Sequence, residues 1–232
     1  MGTNEGAGNA FDFSLTRLLP TVPPMRIEEL IVLQPDGLLS VPFHHRLTVL
    51  TGLGNGVRME FVETLHRAMT GTDGSTELRY RDELGRPLLV RRTGGRRRVS
   101  AWQRGGAGDS PLPGPADLPR MTHVKPVDLG FRAGVNGAVE VPSVPQLIER
   151  IIGWMGRARN AGGRGQGSLA VLDEPLIGLV SSATWDLLDA IDRLADMVQV
   201  VYLTDDRVVE AWAEQAARND RVAMTPVATV VR

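Results

Sequence analysis

A glycine-rich turn after a short apolar run is the first candidate for chemistry in this sequence. The run Leu47 to Thr51 leads into Gly52, Gly54 and Gly56, and an apolar periodicity typical of a helix follows. A strand, a glycine turn and a helix N-terminus bring backbone N–H groups and the helix dipole together, which is a geometry that holds a phosphate group. The pattern therefore predicts a phosphate-binding turn.

The side chains of this turn depart from the nucleotide-binding motif G-x-x-x-x-G-K-[ST]. Gly52 fits the first glycine. The second glycine, the lysine and the hydroxyl residue are replaced by Val57, Arg58 and Met59. Arg58 keeps the positive charge without the compact ammonium group, and Met59 cannot ligate magnesium. We therefore expect Mg-ATP to bind weakly or not at all at the predicted nucleotide site, which comprises Gly52, Gly54, Asn55, Gly56, Val57, Arg58 and Met59.

Two acidic residues follow a second apolar run. Leu169 to Leu172 is continued by Asp173 and Glu174, which is the form of a Walker B motif. In that motif the aspartate holds magnesium and the glutamate polarises the attacking water in phosphoryl transfer. The alternative is an acidic strand end at a turn. Asp173 and Glu174 are the candidate catalytic pair, and Asp173 is the candidate magnesium ligand.

Length and composition limit the class of protein. The 232 residues suit one large domain, or one domain with a small lobe. A formal charge of -1 gives no overall attraction to nucleic acid or to an anionic membrane, and the absence of cysteine excludes disulfides and thiolate metal sites. The N-terminus has no leader pattern and no long apolar run occurs, so we expect a soluble, cytoplasmic protein without a membrane partner.

The elements that must position the candidate groups follow an α/β pattern. Apolar runs and periodicity predict a hairpin over 26–33 and 38–41, a buried strand over 47–51, a helix over 59–70, and meander strands over 77–80, 87–93 and 97–102. They also predict helices over 145–160, 184–197 and 206–219, and strands over 169–172, 198–204, 222–224 and 228–231. We predict a mostly parallel sheet flanked by helices, with an N-terminal antiparallel β meander. Strands 47–51, 169–172 and 198–204 should be adjacent and should bring Asp173 to the glycine turn.

Composition divides the chain into four parts. We expect residues 1–24 to be a flexible N-terminal arm and residues 25–103 to form an N-terminal half that contains the glycine turn and the meander. The Pro/Gly-rich stretch 104–142 lacks periodicity and is predicted to be an irregular lobe or linker. Residues 143–232 should form the C-terminal half.

Arginines gather around the second turn of the predicted meander, at Arg91, Arg92, Arg96, Arg97 and Arg98. One interpretation is a phosphate-binding hairpin that contacts nucleic acid. The preferred interpretation is a solvated, arginine-protected edge, because the chain has a single lysine, Lys125, among its 26 basic residues. The adjacent pair His44 and His45 precedes the buried strand, and neighbours on a strand point to opposite faces. We therefore expect these two imidazoles not to chelate a metal together.

The order of the parts resembles the head of ABC-type ATPases, and within that family the SMC and RecF group. Seven parts of the chain follow the order of that family. They are the hairpin, the glycine turn, the meander, the irregular lobe, the run ending at Pro175, the stretch Leu176 to Leu179 and a strand ending in Leu203 to Asp206. The resemblance covers residues 26 to about 217 and is most specific in the C-terminal third. It implies a P-loop NTPase fold, ATP and magnesium as ligands, and heads that dimerise face to face. Residues 104–142 lack heptads and are too few for the long coiled coil of SMC proteins.

The resemblance also implies roles for individual residues. Gln103 would be the Q-loop glutamine. The family's signature Ser-Gly-Gly-Gln would correspond to the stretch from Ser143 to Gln146, with both glycines lost, although a capping box is the preferred interpretation of that stretch. Val180 stands where the family has an aspartate, and Asp205 stands at the switch histidine position.

Three functions remain open. We favour a catalytically degenerate head that serves as a regulatory or scaffolding partner, paired with an intact ATPase or with a second copy through the head face. The second is a slow ATPase that uses Arg58. The third is dinucleotide binding, suggested by Gly52 and Gly54, although G-x-G-x-x-G requires a small residue where Val57 stands.

Overall fold

The computed structural model describes residues 25–34, 37–70, 76–93, 96–102, 118–133, 139–161 and 167–226, without the side chains at 34, 37, 92, 93 and 96. The expected N-terminal arm, Gln103 and the strand predicted over 228–231 lie outside these ranges. The strands are β1 Arg26–Gln34, β2 Gly37–Pro42, β3 Leu47–Thr51, β4 Thr76–Arg81, β5 Pro87–Thr93, β6 Arg96–Ala101, β7 Arg120–Val124, β8 Arg132–Ala133, β9 Val139–Glu140, β10 Ser168–Asp173, β11 Gln199–Thr204 and β12 Val222–Pro226. The helices are α1 Asn55–Thr70, α2 Val144–Ala161, α3 Ser181–Leu194 and α4 Arg207–Arg218, with a 3-10 helix at Pro126–Leu129.

A parallel sheet forms the centre of the fold, with the strand order β12-β3-β11-β10-β7. All residues of β3 and β11 are buried, because helices or other strands cover both faces of the sheet. The predicted adjacency of strands 47–51, 198–204 and 169–172 is confirmed: β11 lies between β3 and β10. The carboxyl ends of these three strands therefore meet at one edge.

The hairpin and the meander join into a second sheet, in the order β2-β1-β4-β5-β6. Every pairing in it is antiparallel, which confirms the predicted meander. The sequence did not predict that β1 would pair with β4 and unite the two motifs. Opposite charges face each other across these strands, as in the Arg91 to Glu77 ion pair at 2.8 Å.

Two hydrophobic cores cover the two faces of the parallel sheet. On one face, α1 packs through Phe61, Val62 and Leu65 between the parallel sheet and the inner face of the antiparallel sheet. On the other face, α2, α3 and α4 pack on alternate residues of the same strands, such as Val200 and Tyr202 of β11. The layer order is antiparallel sheet, α1, parallel sheet and three helices, so the predicted α/β class is confirmed.

The segment predicted to be an irregular lobe contributes a strand to the central sheet. Strand β7 pairs in parallel with β10 along its whole length, with His123 opposite Val171. The expectation of irregular structure over 104–142 is therefore wrong for this stretch. Five residues before Lys125-Pro126 are too few for periodicity to separate a strand from a loop.

A buried glutamine connects the two sheets. The side-chain amide of Gln199, at the start of β11, donates to the carbonyls of Ile27 at 2.7 Å and His44 at 2.9 Å. Its oxygen accepts the Ile27 N–H at 2.8 Å. Since Gln199 is 5% exposed, satisfied buried hydrogen bonds join β11, β1 and the segment before β3.

Replacing Gly167 by alanine is expected to lower the free energy of unfolding by about 1–3 kcal/mol. A Cβ atom at Gly167 would lie 2.0 Å from the backbone oxygen of Met25, so the start of β10 must move away from the start of β1. The matched control is Gly156→Ala in α2, where an added Cβ meets nothing within 4 Å and removing a helical glycine should add roughly 0.5–1 kcal/mol. Urea unfolding of both variants checks the prediction, which fails if they shift in the same direction.

Within the described part of the chain, no helix combines the length and the apolar character that crossing a membrane requires.

Candidate functional site

The glycine turn and the acidic pair meet at the carboxyl edge of the parallel sheet. The turn follows β3, and Asp173 is the last residue of β10. The Arg58 Nε atom lies 2.9 Å from Asp173 Oδ1, across 115 residues of sequence. The prediction that Asp173 lies beside the turn is confirmed.

The turn is shorter than the sequence predicted, because α1 begins at Asn55 rather than at Met59. Gly54 ends the turn, and its carbonyl accepts the N–H groups of Val57 at 2.8 Å and of Arg58 at 3.0 Å. Two amides of the predicted phosphate cradle are therefore already used in the first turn of the helix. Gly52 has a φ of 73°, a conformation that favours glycine and allows the chain to leave β3 sharply.

Arg58 is the centre of the site and is only 3% exposed. Its Nε donates to Asp173, and its two terminal nitrogens form a fork with Glu174, Nη1 to Oε1 at 3.1 Å and Nη2 to Oε2 at 3.0 Å. Nη1 also donates to Asp205 Oδ2 at 2.6 Å and to the Leu53 carbonyl at 2.9 Å. Nη2 also donates to Asn55 Oδ1. We call Arg58 with the side chains of Asn55, Asp173, Glu174 and Asp205 the Arg58 cluster.

Glu174 has an unusual backbone that the cluster stabilises. Its φ of 44° lies in the left-handed region, which is costly for a residue with a side chain. Its N–H donates to the Leu203 carbonyl at 3.0 Å, and its Oε1 accepts the N–H of Asp205 at 3.2 Å. The glutamate is therefore held against the end of β11 by backbone bonds as well as by Arg58.

Asp205 is positioned by the start of α4. The helix N-cap is Asp206, whose side chain accepts the N–H of Val208 at 2.8 Å, and Thr204 Oγ1 accepts the N–H of Asp206 at 2.9 Å. These bonds fix the turn between β11 and α4 and direct Asp205 toward Arg58. At the switch histidine position implied by the resemblance, this chain therefore supplies a third carboxylate to the Arg58 cluster.

His123 is a member of the site that the sequence did not indicate. Its Nε2 lies 3.7 Å from Asp173 Oδ2, longer than a direct hydrogen bond. This imidazole contact lowers the pKa of Asp173, desolvation opposes it, and the charge of Arg58 lowers the pKa further. Residues 120–124 do not alternate regularly between apolar and polar types, so no clear sequence signal places His123 on a strand.

In the Arg58 cluster, the guanidinium of Arg58 occupies the space between the carboxylates, where a metal cation would otherwise bind. With three carboxylates around one guanidinium, the cluster has two more negative charges than positive ones. Carboxylates are the ligands that magnesium prefers, but Arg58 engages all three of them here. Across the described residues, no group of three or more His, Asp or Glu side chains is arranged to hold a metal ion. The present arrangement does not fit magnesium or the phosphates of a nucleotide.

The signature-like residues start α2. Gln146 Oε1 accepts the N–H of Ser143 at 3.1 Å, and the Ser143 carbonyl accepts the N–H of Leu147 at 3.0 Å. This is the glutamine half of a capping box. The structure therefore supports the preferred interpretation of Ser143 and Gln146 as a helix cap.

The five arginines of the predicted second meander turn lie on β5 and on the edge strand β6 of the antiparallel sheet. Arg91 is committed to the ion pair with Glu77, whereas Arg97 and Arg98 are exposed on the edge strand β6. The side chains of Arg92 and Arg96 lie outside the described part. This placement fits an arginine-protected edge.

Solved structures similar to this chain include an SMC head domain and a component of an ABC transporter complex. The SMC head domain from Thermotoga maritima has 12% identity and a TM-score of 0.47, with 82% of this chain and 92% of that chain covered. Stu0660 of Streptococcus thermophilus has 8% identity and a TM-score of 0.44, with coverages of 85% and 74%. CbiO1 from Clostridium perfringens, part of the ABC transporter complex cbiONQ, has 13% identity and a TM-score of 0.35, with 82% of each chain covered. No model of a known protein family and no curated protein matches the sequence. With TM-scores below 0.5, these likenesses say nothing about ligands or activity.

Proposed function

We propose that this chain is a degenerate ATPase-type head that acts as a regulatory or scaffolding partner of another protein rather than as an ATPase. The observation that carries the proposal is the buried guanidinium of Arg58, which engages both members of the Walker B-like pair. Asp173 would need free oxygens to hold magnesium, and Glu174 would need them to polarise water. In this arrangement Arg58 engages both oxygens of Glu174 and Oδ1 of Asp173, and Asp173 Oδ2 lies beside His123.

The Arg58 cluster also explains why Asp173 and Glu174 lie beside a glycine turn that lacks the nucleotide-binding lysine. A buried guanidinium requires counter-ions, and Asp173, Glu174 and Asp205 supply them. The acidic residues therefore have a structural role that does not depend on nucleotide. Retention of Asp173 and Glu174 is then expected even when catalysis is lost.

Energetic magnitudes favour the inactive state. Binding a nucleotide would require Arg58 to leave the cluster, and breaking a buried ion pair costs about 3 kcal/mol, or roughly a hundredfold in affinity. The missing lysine and magnesium-binding hydroxyl remove further attraction for the phosphates. The N–H groups of Val57 and Arg58 donate to the Gly54 carbonyl inside α1. They are therefore not free to bind a phosphate, which lowers the affinity for nucleotide further.

The surface around the cluster fits a protein partner better than a nucleotide. Exposed apolar side chains flank it in sequence: Val57 and Met59 lie on either side of Arg58, and Ile177 and Val180 follow the acidic pair, with Val180 69% exposed. Exposed apolar side chains grouped around a site are typical of protein contacts. We infer that this head face binds a protein, either an intact ATPase or a second copy of the chain.

Calorimetry with Mg-ATP on the purified chain tests the proposal. We expect no saturable heat up to about 1 mM nucleotide, a limit equivalent to roughly 4 kcal/mol of binding free energy, and no phosphate release above that of buffer. We also expect sedimentation equilibrium to give the same mass with and without Mg-ATP, because the proposed contacts do not require nucleotide.

Two results of these measurements would contradict the proposal. Micromolar Mg-ATP binding with steady turnover would favour the slow ATPase, in which Arg58 turns from the carboxylates to the phosphates. An Arg58→Ala variant separates the two possibilities: loss of turnover in a variant that remains folded would identify Arg58 as the phosphate-binding group. A nucleotide-dependent change in mass would contradict the proposed mode of association.

A further inference from the structure

A cleft of about 440 Å³ lies at the opposite edge of the molecule from the Arg58 cluster. Its walls come from the start of β1, the segment before β3, and the end of β4 with the turn after it. Strand β3 starts beside this cleft and ends at Gly52, so the five residues of the strand, roughly 17 Å, separate the two sites. The cleft is therefore independent of the proposed function.

Backbone hydrogen bonds hold the walls of this cleft in place. The amide of Gln199 binds the carbonyls of Ile27 and His44 from behind, and the Phe43 N–H donates to the Glu28 carbonyl at 2.8 Å. The two walls are thus tied to each other and to the central sheet. The site is pre-organised, so little conformational entropy would be lost in ordering it when a ligand binds.

Arg26 is the charged group in this cleft that has no direct counter-ion. It is half-buried, and desolvation lowers the pKa of its guanidinium; Asp196 opposes this effect and Arg46 adds to it. Asp196 pairs with Arg46 at 2.7 Å instead, and among the residues described the guanidinium of Arg26 has neither a hydrogen bond nor an ion pair. A partly desolvated cation without a counter-ion is costly, so an anion at this position would be stabilised.

The acidic residues of the cleft do not supply that anion. Glu28 pairs with Arg81 at 2.5 Å, and Asp82 pairs with Arg86 at 2.7 Å. Both carboxylates are therefore committed to arginines other than Arg26. The positive charge of Arg26 remains available to a ligand.

Two histidines face the same cleft, contrary to the expectation that they point apart. Their ring centroids are 4.1 Å from each other, because both residues precede β3 and the alternation of a strand does not apply to them. Burial is the main cause that lowers the pKa of both imidazoles, so they are neutral near pH 7. His44 Nδ1 accepts the N–H of Arg46 at 3.4 Å, which leaves its Nε2–H as a donor.

We propose that this cleft binds a small organic oxyanion, a carboxylate or phosphate monoester with an apolar body. Arg26 would pair with the charged group, as a guanidinium does with either oxyanion, and His44 and His45 would donate N–H groups. Phe43, which is 8% exposed, is the apolar side chain of the cleft on which the body of the ligand would pack. The volume is in the range of small-molecule sites and exceeds what an inorganic oxyanion needs.

Calorimetry with three probes, namely inorganic phosphate, benzoate and phenyl phosphate, tests the proposal. We expect saturable binding of benzoate or phenyl phosphate, about tenfold or more tighter than that of inorganic phosphate because of the apolar body. The tighter of the two organic probes identifies the ligand as a carboxylate or a phosphate. Arg26→Gln should weaken binding about tenfold or more, whereas the control Arg98→Gln on the distant edge strand should leave it unchanged.

Stability measurements keep this test decisive. Since the guanidinium of Arg26 has no hydrogen bond and no ion pair among the described residues, Arg26→Gln should unfold at the same or a higher urea concentration than the natural chain. A lower midpoint would assign Arg26 a structural role and overturn the proposal. Equal binding by Arg26→Gln, or no saturation by any of the three probes at about 10 mM, would overturn it as well.

Discussion

Replacing Arg58 by methionine should lower the free energy of unfolding by about 3 kcal/mol. Methionine keeps much of the side-chain length but removes the charge, which leaves three carboxylates facing each other without a counter-ion. The estimate is at the low end for a broken buried pair, because the Asp205 side chain is 39% exposed and can regain water. Urea unfolding, with its midpoint and slope, measures the loss.

Two comparisons identify the cause of that loss. Arg58→Lys keeps one positive charge and should lose clearly less stability, although a single ammonium cannot reproduce the fork with Glu174. Arg157→Met is the matched control, since this exposed arginine stacks on Trp154 and should cost only about 0.5–1 kcal/mol.

The dependence on pH gives a second check with a defined sign. The His123 contact and the Arg58 charge lower the pKa of Asp173 in the folded protein. Its stabilising contribution is therefore present above the unfolded pKa near 3.9 and is lost as pH falls through the folded value. In Arg58→Met, protonation instead relieves repulsion between the carboxylates, so the deficit relative to the natural chain should shrink below about pH 5. A deficit that is absent, or that grows on acidification, contradicts the role assigned to Arg58.

The triple variant Val57→Gly, Arg58→Lys and Met59→Thr is expected to gain measurable Mg-ATP affinity. Glycine at 57 makes room for a phosphate at the turn, lysine at 58 supplies the ammonium group, and threonine at 59 supplies the magnesium-binding hydroxyl. The triple variant also replaces the guanidinium that engages Asp173 and Glu174, which frees carboxylate oxygens for magnesium. Against the natural chain, we expect a gain of about a hundredfold or more, the size of the ion-pair cost, measured by calorimetry.

Glu174→Gln separates binding from chemistry in the restored variant. Added to the triple variant, it should leave Mg-ATP affinity within about threefold while it abolishes any hydrolysis, because the glutamate is proposed to polarise water. The control is Val57→Gly with Met59→Thr on the Arg58 background, which should remain without affinity. If the triple variant folds but ignores ATP, then the early start of α1 at Asn55, rather than the side chains, blocks the site.

The sequence by itself determined the central architecture and the place of the acidic pair. Runs such as Leu47 to Thr51 contain only apolar residues and threonine, without a charge, because helices or other strands cover both faces of the sheet. Parallel strands with helical connections must share a carboxyl edge, so Asp173 had to come near Gly52. These conclusions follow from local periodicity and chain connection, which a single sequence displays.

Only the tertiary structure decided what the side chains at that edge do. Arg58 could have faced a phosphate or a carboxylate, and its conformation depends on Asp173, Glu174 and Asp205, which lie 115 to 147 positions away in sequence. His123 joined them through a strand too short to be recognised from periodicity. No local pattern encodes such contacts, because a guanidinium buried at the meeting point of three strands selects its partners by charge and distance in space. The sequence predicted a phosphate turn with the wrong residues, and the folded chain shows that one of those residues, Arg58, pairs with both members of the acidic pair.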